Sequence, residues 1–260
     1  MDLLGGVAAF RRFGVMVVPP SLSDGAFDAV REDYDRCVRD GTSKNQAPYH
    51  YGGPPRDFGL WRRSAACRKV AYQQSVIHAI MDIYGADVEP FQTLNFSRGS
   101  NQPLHADEIH FQTKPPDLMI AGWTALEDVA PESGPLVVYP GSNAKPPLYF
   151  WDIGLPPAQY GVKDPSYAEY ERHVAGLTDR WERVPCLLKK GETVLFHAGI
   201  IHGGSPTLDA SVSRYSQVTH YWLPELADVA YAPMLSTEDA PAVKDMATKM
   251  FGNKANWEAH

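Results

Sequence analysis

Leu104-His105-Ala106-Asp107-Glu108-Ile109-His110, read with the distant Phe196-His197-Ala198-Gly199-Ile200-Ile201-His202 and with Arg214 beyond it, decides how this chain is to be read. Alternate side chains of a strand share a face, so an H-x-D pair on a strand over 105–112 sends an imidazole and a carboxylate the same way. A further imidazole, His202, at the end of a strand over 200–202 completes a 2-His-1-carboxylate set. That set holds non-haem Fe(II) and leaves positions open for reacting molecules. H-x-D alone occurs by chance in many proteins, and the chain has nine histidines. The weight lies in the order: H-x-D, a Gly-Glu-Thr-Val-Leu-Phe-His strand from Gly191, His202, then Arg214.

Working outward, short strands are expected over 88–98, 118–126, 135–139, 191–196 and 214–223, with turn residues between them, which suits a sandwich or barrel. Before them, 10–20 reads as a strand closed by Pro19-Pro20. Ser21 or Ser23 suits a helix N-cap, and Phe27, Val30, Tyr34 and Val38 form one apolar helix face ending at Gly41. Ser64 suits the cap of a second helical region running to Tyr84 and stopped by Gly85. Between 141 and 190 the strands are interrupted by Pro-rich sequence and a helix over 166–181. The expected fold is α+β with a mainly β core: a single domain over 1–260, helical to about 87, β over about 88–140 and 186–224, a lid insertion over about 141–185, and a tail over 225–260 with a short helix near 237–250.

The totals narrow the function. Lys+Arg 24 against Asp+Glu 31 gives a net charge of −7, which disfavours nucleic acid and anionic membrane as partners. Cys37, Cys67 and Cys186 are odd in number and widely spaced, so neither a disulfide framework nor a cysteine zinc site is expected and a cytoplasmic location is the default. The N-terminus does not read as a secretory signal, and no apolar run is long enough to suggest a transmembrane helix. Oligomeric state is not legible.

Arg214 would share a strand face with Ser216, Val218, His220 and Trp222. A guanidinium turned into a barrel needs an anion, and a dicarboxylate meets it through two parallel hydrogen bonds.

The segments FRRFGVMVVPPSLSDGAFDAVRED, PLHADEIH, GWTALEDVAPESGPLVVYPGS, GETVLFHAGIIHGGSP and SRYSQVTHYW, in that order from about Val7 to Leu223, resemble the phytanoyl-CoA dioxygenase family of Fe(II)/2-oxoglutarate oxygenases. The resemblance implies a double-stranded β-helix (jelly-roll, cupin-like) flanked by helices. It implies Fe(II) on His105, Asp107 and His202, 2-oxoglutarate anchored by Arg214, and O2 as the second co-substrate. It further places Trp123 and Thr113 against the co-substrate, with Gln92 or Asn95 as a polar contact from the preceding strand. The family commonly has a hydroxyl two residues after the last histidine ligand; here that position is Gly204, and Ser205 follows it. Asn143 stands where the family often has a histidine. Asp107 is present, which disfavours halogenation, where a small residue replaces the carboxylate.

The implied reaction is hydroxylation of an unactivated C–H bond of a small or medium-sized metabolite, with succinate and CO2 as co-products. Candidate substrate contacts are His110, Gln112 and Lys114 beyond the H-x-D pair, Tyr49, His50, Tyr51 and Trp61 in the first long loop, and Tyr149, Phe150 and Trp151 in the lid. The competing readings are a jelly-roll metalloenzyme that uses no 2-oxoglutarate, such as a cupin-type isomerase or dioxygenase, and a non-catalytic binding protein on the same scaffold.

Overall fold

The computed structural model describes residues 6–43, 56–114, 118–145, 150–155, 165–224 and 228–231. The order begins α1 (Gly6–Phe13), β1 (Val15–Val18), α2 (Asp24–Arg39), β2 (Arg56–Asp57), α3 (Ala65–Ala71), α4 (Gln74–Tyr84), β3 (Glu89–Phe96), β4 (Phe111–Lys114), β5 (Ile120–Ala125) and β6 (Leu136–Val138). It continues with α5 (Pro165–Leu177), β7 (Val184–Pro185), β8 (Thr193–His197), β9 (His202–Gly204), β10 (Ser216–Trp222) and β11 (Asp228–Tyr231). The core is antiparallel sheet with helices around it, an α+β, cupin-like arrangement.

Six strands form one sheet in the order β1-β8-β5-β10-β3-β2, and three form a second in the order β7-β6-β9. The central strands of the larger sheet are buried on both faces; β5 and β8 are largely apolar as such burial requires, while β3 and β10 also carry buried polar side chains. One face meets the smaller sheet: Val15, Ala121, Trp123, Val194 and Phe196 pack with Leu136, Val138 and Ile200. The other meets helices: Met16, Val18, Ile120, Leu195 and Tyr221 pack with Phe10 of α1 and Val76, Ala79 and Ile80 of α4. On the far side of the smaller sheet, Val137, Tyr139 and Ile201 are covered by Tyr167, Tyr170 and Val174 of α5. Among the described residues no helix is long and apolar enough to cross a membrane.

Several local expectations are met. The Ser64 hydroxyl accepts from the Cys67 backbone N–H at 2.8 Å and caps α3, and Gly85 closes α4 in the left-handed region. All three cysteines are unpaired and buried, and burial pushes the Cys67 and Cys186 thiols up to about 12.

Others are corrected. Residues 10–13 are the end of α1, not strand; the strand starts after Gly14, whose φ of 68 makes the turn. Ser23 occupies the N-cap of α2 without a side-chain bond, while the Ser21 hydroxyl accepts from Ser75 at the start of α4. Cys37, not Val38, completes the buried face of α2. The 64–84 region is two helices, broken at Tyr72-Gln73. The tail opens with β11, which pairs with β4; 237–250 lies outside the described residues.

Candidate metal centre

The segment over 105–112 is not one strand. His105 makes a single antiparallel bridge to His202, exchanging both backbone hydrogen bonds at 2.9 Å. Ala106 is extended, and Asp107 opens a 3-10 turn, Asp107–Ile109. His202 begins β9 rather than ending a strand. The two imidazoles therefore meet because they are directly opposed across a bridge, with ring centroids 4.3 Å apart. The turn, not strand alternation, brings Asp107 to them. Oδ1 of Asp107 lies 3.7 Å from Nε2 of His105 and 3.6 Å from Nε2 of His202. Among the described residues these three form a cluster whose ligand atoms all lie within 4.8 Å of one another, and all three are buried.

The imidazoles are set in one tautomer. Nδ1 of His105 is 2.8 Å from the Pro103 carbonyl, and Nδ1 of His202 is 3.0 Å from the Ile200 carbonyl. A carbonyl can only accept, so Nδ1 carries the proton in each and Nε2 is left as the acceptor; in His105 that nitrogen lies 3.0 Å from the Gln102 side-chain amide nitrogen. Burial, then the neighbouring His202, holds His105 well below its ordinary value. Burial alone would raise the Asp107 carboxyl; His202, His220 and His105 outweigh it and hold the group below the usual carboxylate range. Neutral nitrogen donors around an ionised carboxylate fit a divalent metal.

Arg214 lies two residues before β10 and is 2 % exposed. Nη1 donates to the Gly134 carbonyl at 3.0 Å and Nη2 to the Arg98 carbonyl at 3.2 Å; Nε is buried without a partner. The guanidinium lies 5.3 Å from the Trp123 ring and 5.8 Å from the Phe96 ring. Among the described residues no carboxylate pairs with it, and burial alone pushes it down to about 10. A buried cation held by neutral groups costs several kcal/mol unless an anion arrives.

The other expected contacts divide. Trp123 lies beside Arg214. Gln92 is the register partner of His220 on the face toward Asp107. Asn95 is on the opposite face, bonded to Gln217 and Cys67 beneath α3, and does not reach the site. The Ser205 hydroxyl accepts from Arg183 at 2.8 Å and is no partner of Arg214. A side chain at Gly204 would strike Asn101 and Ser100 at 2.9 Å, so no hydroxyl fits that position. His110 stands 5.9 Å ring to ring from His105, and its Nε2 is 2.9 Å from the Tyr167 hydroxyl; burial pushes it down to about 4. Trp61 and Phe150 are core residues, packed with α2 and α3 and with α5 respectively. Gln112, Thr113 and Lys114 lie in β4 and Trp151 in the turn Phe150–Ile153, their side chains outside the description. Tyr49, His50, Tyr51 and Tyr149 lie outside the described residues.

Three participants were not picked out from the sequence. Gly134 and Arg98 contribute through carbonyls, which no side-chain motif announces. Arg56, on β2, is opposite Phe96 in register, 6 % exposed, and close enough to lower His110 electrostatically. Its two-residue strand pairs with β3, a pairing between distant parts of the chain that the sequence does not disclose.

The family model for phytanoyl-CoA dioxygenase (PhyH) matches residues 10–214. The chain belongs to the phytanoyl-CoA dioxygenase family. The human peroxisomal phytanoyl-CoA dioxygenase is 37% identical over 108 residues, 40% of this chain and 28% of that protein, so the match spans less than a third of that relative. Among solved structures, the non-heme alpha ketoglutarate dependent epimerase SnoN from nogalamycin biosynthesis superposes with a TM-score of 0.69 at 20% identity, over 92% of this chain and 89% of its own. The carbocyclase SnoK from the same biosynthesis gives 0.68 at 16% identity, over 91% and 90%. SnoN has also been solved with Fe3+, alpha ketoglutarate and nogalamycin RO, and that structure gives 0.65 at 18% identity, over 93% and 98%. At these identities the solved structures share the fold of this PhyH-family chain.

Proposed function

We propose that this PhyH-family chain is an Fe(II)- and 2-oxoglutarate-dependent dioxygenase that hydroxylates an unactivated C–H bond of a small or medium-sized metabolite. The observation that carries the reading is Arg214: a fully buried guanidinium held by neutral groups, on the sheet face that also bears Trp123 and His220. Only an anionic co-substrate accounts for a charge placed there. His105, Asp107 and His202 would hold the iron, and Arg214 the distal carboxylate of 2-oxoglutarate. Arg56 adds a second positive group toward His110, suited to a dianion. A cupin-type enzyme without 2-oxoglutarate has no use for Arg214, and a purely binding protein has none for a complete ligand set.

Bound iron and 2-oxoglutarate together activate O2, with succinate and CO2 as co-products. The protein's own part is placement. The Pro103 and Ile200 carbonyls fix the imidazoles, the turn at Asp107 supplies the carboxylate, and Arg214 and Trp123 orient the co-substrate. We read the two sheets as the halves of a double-stranded β-helix, the 260 residues as one oxygenase domain, and 141–185 as a lid whose Tyr167 closes on His110 over the substrate. His110, Gln92 and the side chains of the first long loop are the candidates to touch it.

A metabolite screen for stimulated succinate release under 18O2 tests the reaction type. Hydroxylation predicts a product heavier by one labelled oxygen atom. A stimulating substrate returned isomeric or cyclised, with no label, would assign the chain the chemistry named for SnoN or SnoK instead.

A further inference from the structure

His220 is left over from the ligand set although it touches Asp107. The two oxygens of that carboxylate face different partners: Oδ1 faces Nε2 of His105 and His202, whereas Oδ2, buried with no hydrogen-bond partner, lies 3.4 Å from Nε2 of His220. His220 is outside the cluster of mutually close ligand atoms, so it reaches Asp107 without joining the ligand set. It is 5 % exposed and stands on β10 between Gln92 of β3 and Ala121 of β5. The ladder to β3 shifts register immediately after it, an irregularity of the kind that re-aims a side chain. Its ring stacks on Phe91 at 5.9 Å. The ring is thus fixed by a central strand and an aromatic neighbour.

We infer that His220 is a positioning residue: its Nε2–H holds Oδ2 of Asp107, so that the carboxylate offers the metal Oδ1 alone. The inference rests on the iron reading above. Its consequence is an open coordination position. A carboxylate binding through both oxygens would occupy a place that a chelating co-substrate and O2 both need. The donor at His220 keeps that place free and fixes the angle of Asp107.

Anaerobic titration of the apo protein with Fe(II), followed by 2-oxoglutarate, tests this in wild type, His220→Leu, His220→Gln and Asp107→Ala, with near-infrared magnetic circular dichroism counting the ligands. His220→Leu should weaken Fe(II) binding by about 10- to 100-fold, the range for a partner of a metal ligand, and change the ligand-field spectrum. His220→Gln, which keeps an N–H donor, should recover most of both. Wild-type affinity and spectrum in His220→Leu would overturn the inference, as would a His220→Gln protein no better than His220→Leu. If Asp107→Ala loses iron while His220→Leu keeps it, only this inference falls. If Asp107→Ala keeps iron, the ligand assignment falls too. Should His220→Leu not fold, 15N spectra of Zn(II)-loaded wild type decide: Nε2–H on His220 is expected, and Nδ1–H contradicts it.

Discussion

Arg214 separates function from stability at the level of one residue. Its guanidinium is buried with no carboxylate among the described residues, a desolvation cost that 2-oxoglutarate would relieve under the proposed function. Burying a charge without a counter-ion costs several kcal/mol of desolvation, which an apolar side chain of similar length does not incur. Arg214→Met should therefore melt no lower than wild type in the absence of co-substrate. It should also bind 2-oxoglutarate at least tenfold more weakly, since a hydrogen bond to a charged group contributes about 1.5–3 kcal/mol. Melting curves and 2-oxoglutarate titrations on one preparation check both. His105, Asp107 and His202 were legible as a group because few residue types can hold a divalent metal, and the structure brings these three together. Of the alternatives Gln92 and Asn95, which face opposite sides of β3, Gln92 shares the face of His220 and Asn95 turns to Gln217, while Gly204 has no room for a side chain and Ser205 meets Arg183.

At the scale of elements, the segment from Gln102 to His105 lies antiparallel to β9, with Gly204 N–H donating to the Gln102 carbonyl at 2.8 Å and His105 bridged to His202. Gly203 permits that closeness. A Cβ there would lie 2.9 Å from the Gln102 carbonyl and 3.1 Å from the Pro103 carbonyl, both backbone. The Pro103 carbonyl also orients His105. Gly203→Ala should therefore push the two segments apart and weaken Fe(II) binding without touching a ligand, measured by anaerobic titration beside a wild-type-like circular dichroism spectrum. Undisturbed iron affinity would mean that the bridge does not set the ligand geometry. Strand positions were readable from short apolar runs between turn residues. Their ends were not: whether His202 closes one strand or opens the next depends on its opposition to His105, a pairing between distant parts of the chain. Residues 10–13 look like the start of a strand because Phe10 and Phe13 are apolar whether they face a sheet or lie on the end of a helix.

For the molecule as a whole, the layers of helix, larger sheet, smaller sheet and α5 put several groups at the centre in states that acid opposes. His110 falls from an ordinary 6.5 to about 4, and His105 is lowered too, both chiefly by burial. The unfolded chain then binds more protons than the folded one between about pH 6.5 and 4, so stability rises with pH across that window and is lost as pH falls through it. The lowered Asp107 carboxyl acts in the same direction at more acid pH. Urea unfolding of the apo protein from pH 7 to 4 should show this slope, shallower in His110→Gln; an unchanged slope in the variant would remove His110 from the account. The central claim, that this PhyH-family chain couples His105, Asp107 and His202 to Arg214 through iron and 2-oxoglutarate, is tested most directly by oxygen-dependent release of succinate from 2-oxoglutarate by the iron-loaded protein. Succinate should form in wild type and be suppressed by chelation of iron, by Asp107→Ala and by Arg214→Met. Absence of succinate from iron-loaded wild type with an accepted substrate present, or formation undiminished in Asp107→Ala, would contradict it.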